Sequence, residues 1–152
     1  MRITTWAEYG LLVTVHLARH GGERPVPARE IAEHEGLPPD YVEQILLKLR
    51  RAGLVTSVRG ARGGYFLARS SEEVSVRDVL EAAENRTFEV NCDSYPISAN
   101  RCNGDGNCAV RPVWRALQHR IDGFLQAISL ADLLADEATV EEMLAEQDAA
   151  AR

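Results

Sequence analysis

Apolar residues recur at helical spacing in three short stretches at the start of the chain. The first runs from Trp6 to Leu17 and the second from Ala28 to about Glu35. The third begins at about Asp40, and its apolar residues follow the i, i+3, i+4, i+7 rule. They are Val42, Ile45, Leu46 and Leu49. Because only Gly36-Leu-Pro-Pro39 separates the second stretch from the third, the pattern predicts a helix-turn-helix.

Two short strands follow this unit, at Leu54–Val58 and Tyr65–Ala68. Between them, Arg59–Gly64 interleaves glycines with two arginines, and glycine supplies the geometry of a hairpin tip. The segment lacks the Lys-Ser/Thr ending of a phosphate-cradling loop and precedes a strand, which argues against nucleotide binding. A helix-turn-helix followed by a hairpin predicts a mostly helical α+β fold of the winged-helix type. Its third helix would enter the DNA major groove, and the wing arginines would reach phosphate or the minor groove.

Helical periodicity returns near the C-terminus, where apolar residues alternate at spacings of four and three. These residues are Val110, Trp114, Leu117, Ile121, Phe124 and Ile128. The spacing predicts one long helix that forms a homodimer interface, although burial within its own monomer is an alternative. Capping patterns predict helix starts at Thr5-x-x-Glu8, Ser75-x-x-Asp78 and Thr139-x-x-Glu142.

Charge is distributed unevenly along the chain, whose formal net charge is −6. From Lys48 to Arg69 there are six basic residues and no acidic one, whereas acidic residues dominate from Asp132 onward. In the winged-helix geometry the basic segment becomes a DNA-binding surface rather than a merely solvated one. The predicted DNA-binding residues are Asp40, Tyr41, Glu43, Gln44, Lys48, Arg59, Gly60 and Arg62.

These residues differ in the contact that they are expected to make. Gln44 can pair with adenine and Glu43 can accept a hydrogen bond from cytosine, although Glu43 is also suited to stabilising the helix dipole. Lys48, Arg50 and Arg51 are expected to contact phosphate or to be solvated.

All three cysteines, Cys92, Cys102 and Cys108, bound or occupy a polar stretch with the spacing C-x9-C-x5-C. An odd number cannot form a closed set of disulfides, and the spacing is not that of a zinc site. Three thiolates in a loop can hold an iron–sulfur cluster, so the spacing leaves open a metal centre or a thiol-based redox site. His16 and His20 are expected to be surface or satisfied core residues rather than ligands.

The wing Ser57–Arg69, the segment Asp40–Gln44 and the three-cysteine loop together resemble bacterial regulators of the IscR, NsrR and RirA type. The resemblance extends from Met1 to about Leu134. It implies a homodimeric winged-helix repressor whose DNA affinity is governed by a cluster held on the three cysteines. It also implies that Tyr41, Glu43, Gln44 and Arg59 lie at the DNA.

The chain departs from the IscR pattern at one position. That subfamily supplies a fourth cluster ligand as a histidine three residues after the last cysteine, and Arg111 stands there instead. NsrR-like members use an acid near the start of the first helix, which matches Glu8. We therefore expect Glu8 to be the fourth ligand, with helix capping as its alternative role and His34 as a weaker candidate.

These features predict a cytoplasmic transcription regulator that binds a pseudo-palindromic operator and is not an enzyme. The cluster, 2Fe–2S or 4Fe–4S, would sense redox state, nitric oxide or iron–sulfur supply. A small iron–sulfur redox carrier and a cluster-free thiol-sensing regulator are the alternatives. Neither a membrane nor a small-molecule substrate is expected as a partner. The expected regions are a DNA-binding domain (1–84), a cysteine loop (85–108), a dimerisation helix region (109–134) and an acidic tail (135–152).

Overall fold

The computed structural model describes residues 3–84, 92, 98, 102 and 108–150. Within these ranges six α-helices surround a two-stranded antiparallel sheet, which confirms the predicted winged-helix α+β fold. The helices are α1 (Thr5–His20), α2 (Ala28–Glu35), α3 (Pro39–Arg51), α4 (Val76–Glu84), α5 (Val110–Ala127) and α6 (Glu137–Ala150). The strands are β1 (Val55–Val58) and β2 (Gly64–Leu67), and a short 3₁₀ helix spans Asp132–Leu134. No helix in the described ranges is long and apolar enough to cross a bilayer.

The helix-turn-helix is held together by the apolar face of α3. Val42, Ile45, Leu46 and Leu49 are all buried, as their spacing predicts. Gly36 ends α2 in the left-handed conformation with φ +65°, which glycine adopts without a Cβ clash. Pro39 then occupies the first turn of α3, where its missing N–H costs no helical hydrogen bond.

The core continues beyond the predicted DNA-binding domain. After α5 the chain returns to pair with the segment before α4: Val76 donates to the Ile128 carbonyl and Leu130 donates to the Val74 carbonyl, both at 2.8 Å. Leu130 is fully buried in the same apolar cluster as the helix-turn-helix. The segment that follows α5 is therefore part of the same core as the helix-turn-helix.

The helix starts confirm one of the three predicted capping boxes. Ser75 Oγ accepts from the Asp78 backbone N–H at 3.1 Å, and the Asp78 carboxylate accepts from the Ser75 backbone N–H at 2.9 Å. The prediction at Thr5 is wrong, because Thr4 is the N-cap of α1 and makes no side-chain capping bond. The prediction at Thr139 is also wrong, since α6 begins at Glu137 and Asp136 accepts from the Thr139 N–H.

The wing pairs Val55 with Leu67 and Val58 with Gly64, so the hairpin turn spans residues 59–63. Tyr65 also exchanges two 2.9 Å backbone hydrogen bonds with Val26, which fastens the wing to the segment before α2. At Gly64 the backbone comes so close to this segment that an added Cβ would lie 2.5 Å from the Val26 carbonyl carbon. Only glycine allows this approach.

We expect Gly64→Ala to destabilise the fold by roughly 2–4 kcal/mol, because the new methyl group must push the wing away from Val26. Thermal unfolding should show a lower melting temperature than the wild type. Gly22→Ala is the matched control, since nothing lies within 4 Å of its added Cβ. Equal melting temperatures for the two variants would contradict the close approach at Gly64.

Candidate nucleic-acid interface and cysteine segment

Helix α3 and the wing place most of the predicted DNA-binding residues on the surface. Helix α3 presents Asp40, Tyr41, Glu43 and Gln44 as exposed residues near its N-terminus, and the hairpin turn presents Arg59, Gly60 and Arg62. Gly60 has φ +117°, a backbone conformation that favours glycine at the tip. The two elements are joined directly, because Arg50 near the end of α3 donates to Ser57 Oγ of β1 at 3.1 Å.

Tyr41 is only partly free to contact DNA. Its ring lies 5.1 Å from the Trp6 ring and 5.7 Å from the Tyr9 ring, and 40% of its surface is exposed. These contacts fasten the start of α3 to α1 and limit the side chain's freedom. The sequence pattern did not identify Trp6 as a residue that supports α3. Its position in the helical repeat of α1 nevertheless places it on the face of α1 that contacts α3.

Lys48, one of the predicted DNA contacts, makes two contacts within the chain. Its ammonium donates to the Ala83 carbonyl at 2.6 Å and lies 4.0 Å from the centroid of the Trp6 ring. The charge is used inside the protein, where it satisfies a carbonyl of the last turn of α4 and makes a cation–π contact. Lys48 therefore links α3 to α4 and α1, and its contact with DNA stays a prediction.

Each of the three cysteines is half-buried. The Cys102 N–H donates to the Ser98 carbonyl at 2.8 Å, and the Cys102 carbonyl lies 3.4 Å from the Arg111 guanidinium. Cys108 stands two residues before α5. Among the residues that the structure describes, the three thiols do not form a group close enough to share one metal ion. The residues between them, 93–97, 99–101 and 103–107, lie outside the described ranges.

Glu8 is exposed on the first turn of α1. Since Thr4 caps the helix without a side-chain bond, and Thr4 Oγ1 donates instead to the Glu84 carboxylate, Glu8 takes no part in a capping box. The capping role considered for Glu8 is therefore wrong, and its carboxylate remains available as a ligand. The alternative ligand His34 lies instead against Glu35, with Nδ1 3.2 Å from the carboxylate.

Helix α5 carries the predicted dimer interface. None of its residues is buried, which argues against the alternative that the helix is buried within its own monomer. Val110, Trp114, Leu117 and Phe124 are exposed by 37% to 50%, and Ile121 is half-buried. The prediction of Ile128 as a residue of the dimer interface is wrong. Ile128 lies beyond the end of α5 and is 5% exposed, so it packs in the core of its own chain.

Comparison with known proteins agrees with this architecture. A family model described as Rrf2, an iron-dependent transcriptional regulator, matches residues 3–136. The HTH-type transcriptional regulator IscR of Photorhabdus laumondii is 35% identical over 141 residues, covering 93% of this chain and 84% of that protein.

Two solved structures share the fold and most of the length. The T. potens IscR structure superposes with a TM-score of 0.70 at 36% identity, covering 91% of this chain and 90% of that one. CymR, described as the global cysteine regulator of B. subtilis, gives a TM-score of 0.72 at 31% identity, covering 90% and 99%. Proteins named as HTH-type transcriptional regulators bind DNA and are not enzymes. The chain belongs to the Rrf2 family of transcriptional regulators.

Proposed function

We propose that this regulator is a homodimeric repressor whose affinity for a pseudo-palindromic operator depends on an iron–sulfur cluster held by Cys92, Cys102 and Cys108. The observation that carries the proposal is the donor set: three half-buried cysteines in the segment that leads into α5. Thiolates are the usual protein ligands of iron–sulfur clusters. A bound cluster would supply a group that reacts with oxidants or nitric oxide and that is lost when iron–sulfur supply fails.

Glu8 is the fourth ligand that we propose. Its support is that the carboxylate is exposed, and that α1 is capped without it. A carboxylate in place of the IscR-type histidine also accounts for Arg111, whose guanidinium is directed to the Cys102 carbonyl. Replacing Glu8 with glutamine should lower cluster retention, whereas replacing His34 should not.

Homodimerisation is supported by the exposed apolar face of α5. Side chains as large as Trp114 and Phe124, each 43% exposed on one amphipathic helix, are typical of a surface that a partner covers. Two copies related by a two-fold axis would present two copies of α3 to successive major grooves, which is why the operator should be pseudo-palindromic.

The fold provides a short path from the cysteines to the reading head. Cys108 is followed within two residues by α5, and the end of α5 is tied to the start of α4 through Val76 and Ile128. Helix α4 in turn accepts a hydrogen bond from Lys48 of α3. Movement of Cys108 would therefore displace elements that support α3. Such a switch operates only if the two states of the cysteine segment differ in their preference for the DNA-competent arrangement.

Anaerobic purification with an optical and EPR spectrum and an iron-to-sulfide ratio tests the cofactor directly. DNA binding is then measured by fluorescence anisotropy on sequences selected from a random duplex pool, with the cluster present and after its removal. We expect equal amounts of iron and sulfide and two different DNA affinities. A colourless, iron-free protein with a single affinity would overturn the proposal.

A cluster-free thiol sensor is the second candidate function. It is favoured by the similarity to CymR, the global cysteine regulator. Iron-free protein whose DNA affinity falls on oxidation and recovers with a thiol reductant would support it. The redox-carrier alternative is not supported, because the family consists of transcriptional regulators.

We expect Gln44→Ala and Arg62→Ala to weaken DNA binding in different ways. Loss of a base contact at Gln44 should cost about 1–3 kcal/mol on the preferred operator and relax selectivity at one base pair. Loss of a phosphate contact at Arg62 should weaken binding to all sequences and reduce the salt slope by about one. Anisotropy titrations on matched and single-mismatch operators at several salt concentrations distinguish the two.

Gln147→Ala, in the acidic helix α6, is the control and should leave affinity unchanged. If Gln44→Ala and Arg62→Ala lowered affinity equally on every sequence, direct base reading by Gln44 would be refuted.

A further inference from the structure

Three of the four histidines of the chain meet at one place, where the C-terminal part of α1 packs against the last turn of α2. The His16 ring lies 4.6 Å from the His20 ring and 4.8 Å from the His34 ring, and His20 and His34 are 5.5 Å apart. The i, i+4 spacing of His16 and His20 puts both on one face of α1. The sequence alone pointed to surface or core roles for this pair, because the partner residues come from another helix.

Glu35 joins the cluster from the end of α2. A single oxygen, Oε1, lies 2.7 Å from His16 Nδ1 and 3.2 Å from His34 Nδ1. Burial by itself raises the pKa of Glu35, but hydrogen bonds from His16 and His34 lower it below its usual value overall. The Glu35 carboxylate therefore contacts two of the three histidines of the cluster.

His16 is the buried member of the cluster, with a side chain only 1% exposed. Its Nδ1 contacts Glu35, but its Nε2 has no hydrogen-bond partner among the described residues. A buried polar atom without a partner costs about 1–3 kcal/mol. Because Nδ1 is the ring nitrogen that lies beside Glu35, Nδ1 and not Nε2 is the atom of His16 that could share an ion with that carboxylate.

From this geometry we infer a second metal site: a divalent transition-metal ion bound by His16, His34 and Glu35, with His20 beside them as a fourth ligand. The donor atoms of the first three lie within 4.8 Å of one another. A tetrahedral zinc site needs separations of about 3.4 Å, since its bonds to nitrogen and oxygen are about 2.0–2.2 Å long. The difference is small enough for His34, whose side chain is 62% exposed, to close by a change of rotamer.

The donor chemistry selects the class of ion. Two or three imidazoles with one carboxylate suit zinc and neighbouring first-row ions, whereas calcium and magnesium prefer oxygen ligands alone. An ion here would clamp α1 to α2, immediately before the turn that leads into α3. The site is separate from the cysteines and does not depend on the proposed cluster.

Zinc binding to the full chain with all three cysteines replaced by serine tests the site, because no thiol or iron–sulfur cluster can then take up metal. Isothermal titration should show one Zn²⁺ per chain. His34→Ala and Glu35→Gln should each weaken binding by at least roughly 100-fold, the upper end of the effect of losing a mere supporting residue. His119→Ala, on α5, is the matched control and should bind as before. No zinc uptake, or uptake that neither variant weakens, would overturn the inference.

A second measurement uses the wild-type chain and needs no cysteine substitution. Long-range ¹⁵N–¹H spectra report the ring nitrogens of each histidine, and added Zn²⁺ should shift those of His16 and His34 while leaving His119 unchanged. Shifts confined to His119, or absent from every histidine, would refute the site.

Discussion

Replacing Trp114 and Phe124 with aspartate on the exposed face of α5 should convert a dimer into a monomer and remove nearly all operator binding. In a dimer, the second half-site is bound intramolecularly, and linking two modules in this way raises affinity by roughly 100- to 10,000-fold. We expect the double variant to lose affinity by that factor on a two-half-site operator. Its affinity for a single half-site should be unchanged.

Each substitution changes the interface at two places, because both copies of the chain carry it. In a two-fold interface the same residue is contributed by both copies, so Trp114→Asp and Phe124→Asp place four carboxylates where aromatic rings were to be covered. Burial of an unpaired charge is strongly unfavourable, and the variants would keep these groups in water by staying apart. Since both side chains are 43% exposed within one chain, the monomer fold should persist.

Light scattering coupled to size exclusion measures the mass, and anisotropy on whole and half operators measures the binding. Gln126→Asp is the control, because Gln126 is exposed on the same helix but lies off the apolar seam. A double variant that remains dimeric at micromolar concentration and binds the whole operator normally would show that α5 is not the interface.

Gly123 provides a second, independent test of whether α5 forms the dimer interface. It lies within the continuous helix α5, and a Cβ added there meets nothing within 4 Å among the described residues. In an isolated helix Gly123→Ala would stabilise by about 1 kcal/mol. If a partner helix packs closely over this position, the methyl group should instead weaken the dimer.

Local sequence patterns predicted the helix-turn-helix and the wing well. The apolar spacing of α3 identified its four buried residues, and glycine content with strand alternation located the wing to within one residue at each end. These features depend on neighbours only a few positions away, so the chain specifies them directly. The single correct capping box, at Ser75, is of the same kind.

The errors occur where distant segments meet. Heptad spacing placed Ile128 on the dimer helix, but the helix ends at Ala127 because the following residues pair with Val74 and Val76. The hydrogen bond from Lys48 to the Ala83 carbonyl could not be predicted either, because α4 brings that carbonyl from a distant part of the chain. Glu35 had no signal of its own, since its chemistry appears only when α1 places His16 beside it. The spacing of residues along the sequence predicts which face of a helix a residue occupies. It does not predict which residues from other segments contact that face.

Replacing Cys102 with alanine should remove the cofactor and fix operator affinity at a single value. The substitution is well suited to the question because, among the described residues, Cys102 makes its hydrogen bonds through its backbone: the N–H donates to the Ser98 carbonyl and the carbonyl accepts from Arg111. Alanine keeps both contacts and removes only the sulfur. Loss of iron and sulfide would therefore report on ligation rather than on collapse of the segment.

The decisive comparison is the ratio of two affinities in each protein, measured before and after removal of iron by a chelator under anaerobic conditions. In the wild type we expect the ratio to differ from one by roughly 5- to 150-fold, the usual range for coupling between two sites. In Cys102→Ala it should equal one. If the wild type holds no iron but its affinity responds to oxidant, and Cys102→Ala abolishes that response, the thiol-sensing function is correct instead. A variant that keeps its iron, or that keeps the wild-type affinity ratio, would refute a role for Cys102 in coupling, because its sulfur would then be neither a ligand nor part of the switch.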